Sequence, residues 1–213
     1  MDNKNVTTGK PKVGGAVWRA PVGTALPENA LDALNNAFME LGYCSEDGVT
    51  NNNSPESDGI KAWGGSTVYS YQSAKPDTFG FKLIEALNPN VLKAVYRDDN
   101  VTGDLDTGIT VKANAKEQEE YSWIIDMVLR GGILKRVVIP QASITEIGEI
   151  NYGDEDAVGY EITLTAVPDE KENTHYEYIQ KPKNATAGTE TEDTTGDQTG
   201  DQTDPSGEEE EGN

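Results

Sequence analysis

The stretch Val158-Gly159-Tyr160-Glu161-Ile162-Thr163-Leu164-Thr165-Ala166-Val167 decides the fold. Val158, Tyr160, Ile162, Leu164 and Ala166 alternate with Gly159, Glu161, Thr163, Thr165 and Val167. That is a period of two, with one apolar face and one mostly polar face, the mark of a half-buried strand. Pro168-Asp169 ends the run. Upstream, residues 133–150 are rich in β-branched side chains: Ile133, Val137, Val138, Ile139, Ile144, Thr145, Ile147 and Ile150. Asn151-Tyr152-Gly153-Asp154-Glu155-Asp156 lies between the two runs and reads as a turn, so 133–167 is expected to form an antiparallel hairpin. Pro140 lacks a ladder donor and marks an edge position or a bulge. Gly131-Gly132 can close a second hairpin, joining 121–130 to 133–139. Segment 117–129 has two readings. Tyr121, Ile124, Ile125, Val128 and Leu129 fit a helical stripe. The Gly-Gly pair followed by a β-branched return favours a strand.

Two other segments read as helical. Leu31, Leu34, Phe38 and Leu41 recur at helical spacing, with Gly42 placed just past the end. Residues 81–96 carry Leu83, Ile84, Leu87, Val91, Leu92 and Val95, interrupted by Asn88-Pro89. Proline disfavours helical backbone in the residue before it, which predicts two short helices or one broken one, with Pro89 opening the second. Between these segments, 45–76 reads as a long polar loop without strong periodicity. Its aromatics, Trp63, Tyr69 and Tyr71, are too many for a solvated linker and point to an interface.

The chain has 213 residues, with 17 Lys and Arg against 38 Asp and Glu, a net charge of −21. A nucleic-acid binder needs a basic face to neutralise phosphates, so the sign argues against one. No apolar run is long enough to span a bilayer, and Met1 to Thr8 does not read as a secretory signal. One cysteine, Cys44, and one histidine, His175, exclude an internal disulfide and a Cys/His zinc site. Every Leu, Ile, Val and Phe lies at or before Ile179. Residues 183–213 carry ten acids and one base, repeat Thr-Gly-Asp-Gln, and end near Glu208-Glu209-Glu210-Glu211. Such a composition cannot bury enough surface to offset its ordering entropy. The chain thus divides into a flexible N-terminal arm (1–12), a β domain (13–182) and a disordered acidic tail (183–213).

Chemistry-bearing motifs are weak. Gly9-Lys10-Pro11-Lys12-Val13-Gly14-Gly15 lacks the Gly-Lys-Ser/Thr ending of a phosphate loop, and no strand precedes it. Asp98, Asp99, Asp104 and Asp106 form an oxygen-rich cluster that could hold calcium but misses the twelve-residue loop spacing. Asp154-Glu155-Asp156 reads as a solvated turn. His175 has no evident partner and reads as a surface or packing residue. Cys44 has no basic neighbour to activate it. No cofactor is expected.

Three stretches together resemble the major tail tube protein of long-tailed phages of Gram-positive bacteria. The first is Gly15-Ala16-Val17-Trp18-Arg19-Ala20-Pro21-Val22-Gly23-Thr24-Ala25-Leu26-Pro27, followed by Leu41-Gly42-Tyr43-Cys44-Ser45-Glu46-Asp47-Gly48. The second is Phe81-Lys82-Leu83-Ile84-Glu85-Ala86-Leu87-Asn88-Pro89. The third is Arg136-Val137-Val138-Ile139-Pro140-Gln141-Ala142, continuing into Val158 to Asp169. The resemblance covers roughly 10–180. It implies a mainly β (α+β) fold: an antiparallel β-sandwich or barrel-like domain with one or two short flanking helices and extended N- and C-terminal arms. It also implies a structural, non-enzymatic virion protein. Six copies would close a ring, and rings would stack into a tube around the tape measure protein, bounded by the tail terminator and distal tail proteins. DNA would transit the lumen without specific binding, and no membrane is involved. Assembly would take place in the host cytoplasm.

On that reading Trp63, Tyr69 and Tyr71 are candidates for ring stacking. Tyr160, Ile162 and Leu164 take the core face of their strand. Glu161, Thr163 and Thr165 then point into the channel, with Glu146 or Glu149 opposite. The rival reading is an acidic β-rich binding or adhesion module of a surface protein, possibly calcium-dependent. A carboxylate-dependent glycosidase is a third, but nothing singles out a catalytic pair among 38 acids.

Overall fold

The computed structural model describes residues 1–12 and 15–182. The expected acidic tail lies outside the described residues. The strands are β1 (Gly9–Pro11), β2 (Val17–Pro21), β3 (Met39–Glu40), β4 (Cys44–Asn52), β5 (Glu56–Lys61), β6 (Thr67–Ala74) and β7 (Thr78–Leu83). After helix α1 (Pro89–Tyr96) come β8 (Val101–Thr102), β9 (Thr110–Val111), β10 (Tyr121–Leu129), β11 (Ile133–Ile147), β12 (Tyr160–Ala166) and β13 (Tyr176–Gln180). A nine-stranded antiparallel sheet runs β3-β2-β10-β11-β12-β7-β4, with β1 added on β10 and β13 on β11. This is the mainly β fold that the alternation implied.

Both expected hairpins form. Leu129 faces Ile133 across a turn in which Gly131 and Gly132 adopt positive φ (76° and 72°), a conformation that a side chain would strain. Ile144 faces Leu164, and Ala142 faces Ala166. Pro140 sits in a bulge: Pro140 and Gln141 oppose the single residue Ser122, whose hydroxyl donates to the Pro140 carbonyl at 2.7 Å. The bulge places the proline where no ladder donor is required. Segment 117–129 resolves as strand β10 rather than helix.

The core forms on one face of the sheet. Phe79, Phe81 and Leu83 from β7, Tyr160, Ile162 and Leu164 from β12, and Trp123 and Ile125 from β10 cluster with Val91, Leu92 and Val95 of α1. Asn88 caps α1 by accepting from the Asn90 N–H, and Pro89 opens the helix as expected. The residues ahead of it do not form a helix. Phe79, Phe81 and Leu83 alternate into the core as β7, pairing with β12, so the expected first helix of 81–96 is instead a strand and a turn.

The opposite face is covered at one end only. Ala20, Ile124 and Val138 pack there against Phe38, Leu34 and Leu26 of segment 22–38. The helix expected over 31–41 is absent, for a local reason. The Asn29 side chain accepts from the N–H groups of Leu31 and Asp32, an alternative to helical bonding. The carbonyls of Asn29 and Asp32 are taken by Arg136 Nη1. Arg136 also makes a two-pronged contact to its cross-strand partner Asp126, at 2.6 and 2.8 Å. The apolar residues of 31–41 serve a clamped loop and β3.

The long loop expected over 45–76 is also corrected. It contains most of β4, which pairs with β7, and the β5–β6 hairpin. The N-terminal arm joins the sheet through β1, with Lys10 opposite Val128.

Candidate functional site

Two surfaces follow from this layout: an open sheet face and a projecting hairpin. Where segment 22–38 ends its cover, the side of β12, β7 and β4 opposite the helix-backed core is bare. Glu161, Thr163 and Thr165 lie on it, out of the core that Tyr160, Ile162 and Leu164 enter. Register adds Lys82 opposite Glu161, Gly80 opposite Thr163 and Thr78 opposite Thr165. Thr50 and Asn52 extend the face on β4. Thr145 and Thr165 share a hydroxyl hydrogen bond of 2.8 Å. A bulge at Thr145 brings Glu146 opposite Thr163 on the same side. Glu149 lies beyond the end of β11, so the structure brings Glu146, and not Glu149, into register with this set. The face is made of hydroxyls, amides and a glycine, with Glu161 and Glu146 as acids and Lys82 as a base that sequence reading missed. Lys82 was hidden because its pairing with β12 is long-range.

The β5–β6 hairpin stands apart from the main sheet as a separate two-stranded unit. Its tip is closed by Ala62 N–H to Ser66 O and Gly65 N–H to Ala62 O. Every residue of β6 is exposed, and neither core cluster takes a side chain from the hairpin. Tyr69 and Tyr71 stack with ring centroids 6.0 Å apart, and Ile60 faces Tyr69 across the pair. Trp63 at the tip is wholly exposed (107%). A lone two-stranded hairpin is marginal in water, and exposed aromatic surface marks a site where something binds.

A family model described as Phage tail tube protein matches residues 2–190. The chain belongs to the phage tail tube protein family. No curated protein matches it. A tail tube protein is a structural component of the virion tail, not an enzyme, and it assembles with other tail components as an oligomer.

In a tail tube protein the remaining chemistry-bearing residues are read for structure. Asp98 accepts from Arg19 at 2.5 Å and from the Tyr121 hydroxyl at 3.0 Å, and the Arg19 guanidinium lies 4.2 Å over the Tyr121 ring. Burial pushes the Tyr121 phenol up to about 12, with the Arg19 charge opposing. Asp104 accepts from the N–H groups of Asp106 and Thr107 and from the Thr107 hydroxyl, a local turn. Among the described residues, no three His, Cys, Asp or Glu side chains are placed to share a metal ion.

His175 has a partner that sequence reading did not find. Its Nδ1 lies 2.5 Å from Asp77 Oδ2, and its ring meets Phe79 edge-on. Asp77 is buried and also accepts from Thr174 and Asn51, tying the chain before β13 to the β4–β7 pair. Burial pushes the Cys44 thiol up to about 11, which removes its thiolate at neutral pH. Gly9 to Pro11 is strand β1, and among the described residues the next element is strand β2.

Proposed function

We propose that six copies of this tail tube protein close a ring and that rings stack into the tube of a long phage tail. The tube would surround the tape measure protein, end at tail terminator and distal tail proteins, and carry DNA during ejection after assembly in the host cytoplasm. The observation that carries this reading is the division of the sheet surface. One face packs against α1, the other is bare and polar beyond segment 22–38, and a hairpin carrying exposed aromatics projects beside them.

A ring in which the bare face turns inward gives a channel lined by Glu161, Thr163, Thr165 and Glu146. Threonine and amide groups offer no cation array for phosphates, and the chain's net charge of −21 repels them. Lys82 opposite Glu161 keeps that part of the lining from being uniformly anionic. Closure into a ring also removes the exposed sheet edge at β4, which would otherwise template aggregation. Trp63, Tyr69 and Tyr71 on the hairpin supply the contact between rings, since buried aromatics dominate interface energetics.

Negative-stain microscopy of the purified full chain tests this. Hollow tubes about 100 Å wide with sixfold end views are expected, the width following from six small domains around a pore. A protein that stays monomeric at high concentration refutes it and favours the binding-module reading.

A further inference from the structure

Among the described residues, a second apolar feature has no internal partner. A shallow, open cleft of about 610 Å³ is lined mainly by apolar groups, among them Leu87, Pro89, Leu105, Ala157 and Val158. Leu87 lies in the turn between β7 and α1, and Leu105 lies between β8 and β9. They are 66% and 67% exposed. Exposed acids flank its lining residues in sequence: Asp106 follows Leu105, and Asp154-Glu155-Asp156 immediately precede Ala157, whereas the Glu85 carboxylate is held by Tyr43 and Asn88 and that of Asp104 by its own turn.

The hairpin tip is its complement. From Gly59 to Tyr71 the only charge is Lys61, two residues from Trp63. Both Lys61 and Trp63 are exposed. We infer that the Trp63 tip of one copy seats in the Leu87–Leu105 cleft of a second copy, with Lys61 meeting the acidic rim. Apolar tip and apolar cleft match in character, and tip and rim match in charge. The two features sit on different parts of the chain, so the contact is heterologous and repeats from copy to copy, as a stack requires. The cleft is formed by three connections: the β7–α1 turn, the β8–β9 turn and the chain leading into β12. This inference rests on the stacking role proposed for the hairpin.

Two full-length variants separate the halves of the contact. Trp63→Ala removes the knob and keeps the cleft. Leu87→Glu with Leu105→Glu blocks the cleft and keeps the knob, at positions exposed enough to leave folding intact. Each alone is expected to raise the concentration needed for tube growth about tenfold or more, the effect of losing a central aromatic anchor. Assembled separately as rings and then mixed, the two variants should pair one ring of each and stop at two rings, seen as a single new species by sedimentation. Leu105→Ser, which adds no charge, should shift growth in the same direction without altering the melting temperature. Lys61→Glu should weaken growth, and Asp106→Lys should restore it. Normal growth of the cleft variant beside failed growth of Trp63→Ala overturns the cleft assignment and leaves the hairpin's role standing. Normal growth of both overturns both. Failure of each alone with no complex on mixing also overturns the pairing.

Discussion

Arg136 offers the sharpest test of how the sheet's second face is built. Its side chain is 1% exposed and makes four hydrogen bonds: two to Asp126, one to the Asn29 carbonyl and one to the Asp32 carbonyl. Replacing it with Met strands the Asp126 carboxylate, itself 5% exposed, with Lys12 at 3.3 Å as its remaining cation. It also unpins segment 22–38. Removing one partner of a buried pair costs about 3–5 kcal/mol. For a chain of this size each kcal/mol moves the melting temperature by about 2–4 °C, so a fall of about 6–20 °C is expected. The assay is thermal unfolding by circular dichroism at a concentration below tube formation. Proteolysis at Glu28 by a glutamate-specific protease reports the loop directly and should accelerate. The double variant Arg136→Met with Asp126→Leu should recover much of the loss, because an apolar pair of similar volume leaves no charge stranded. A single-variant cost below about 1 kcal/mol, or a double variant worse than either single, refutes the reasoning.

Three further outcomes are expected. Burial pulls the Asp77 carboxyl up, but hydrogen bonds from Thr174, Asn51 and His175 outweigh it and hold it below the ordinary range, so its contribution is present at neutral pH and lost on acidification below about pH 4. The gap in melting temperature between wild type and Asp77→Asn should shrink below that pH, and a constant gap counts against the assignment. Cys44 should alkylate with iodoacetamide at pH 8 about a hundredfold more slowly in the folded protein than in guanidinium, given its raised pKa; equal rates contradict that shift. Glu161→Lys should lose about 0.2–1 kcal/mol, because it sets two ammonium groups opposite each other on β12 and β7, and adding Lys82→Glu should restore the loss if the register is right.

What was legible in the residues, and what was not, follows from where the burial signal comes from. The β10–β11–β12 meander could be read because its turns are local and its strands bury one face inside the chain, so Tyr160, Ile162 and Leu164 announce the core, and Glu161, Thr163 and Thr165 the bare face. The spacing of Leu31, Leu34, Phe38 and Leu41 mimicked a helix because a loop clamped over a sheet also places apolar residues at irregular short intervals, and the clamp, Arg136, lies about a hundred residues away. Phe81 and Leu83 belonged to an alternation that began at Phe79, and the helical residues after Pro89 masked it. Lys82 and the Asp77–His175 pair depend on contacts between distant segments that no window of sequence contains. The β5–β6 hairpin was missed for the opposite reason. Alternation records burial, and this hairpin buries neither face against the described residues of its own chain, so its pattern was blank. One signal was present: Gly64-Gly65 between Trp63 and Ser66 is the same kind of turn that Gly131-Gly132 gave correctly. A strand pair whose aromatics explain nothing inside the subunit is locally inconsistent with a solitary fold, and such inconsistency belongs to sites whose partner is another molecule. In a tail tube protein that partner is available in every neighbouring copy.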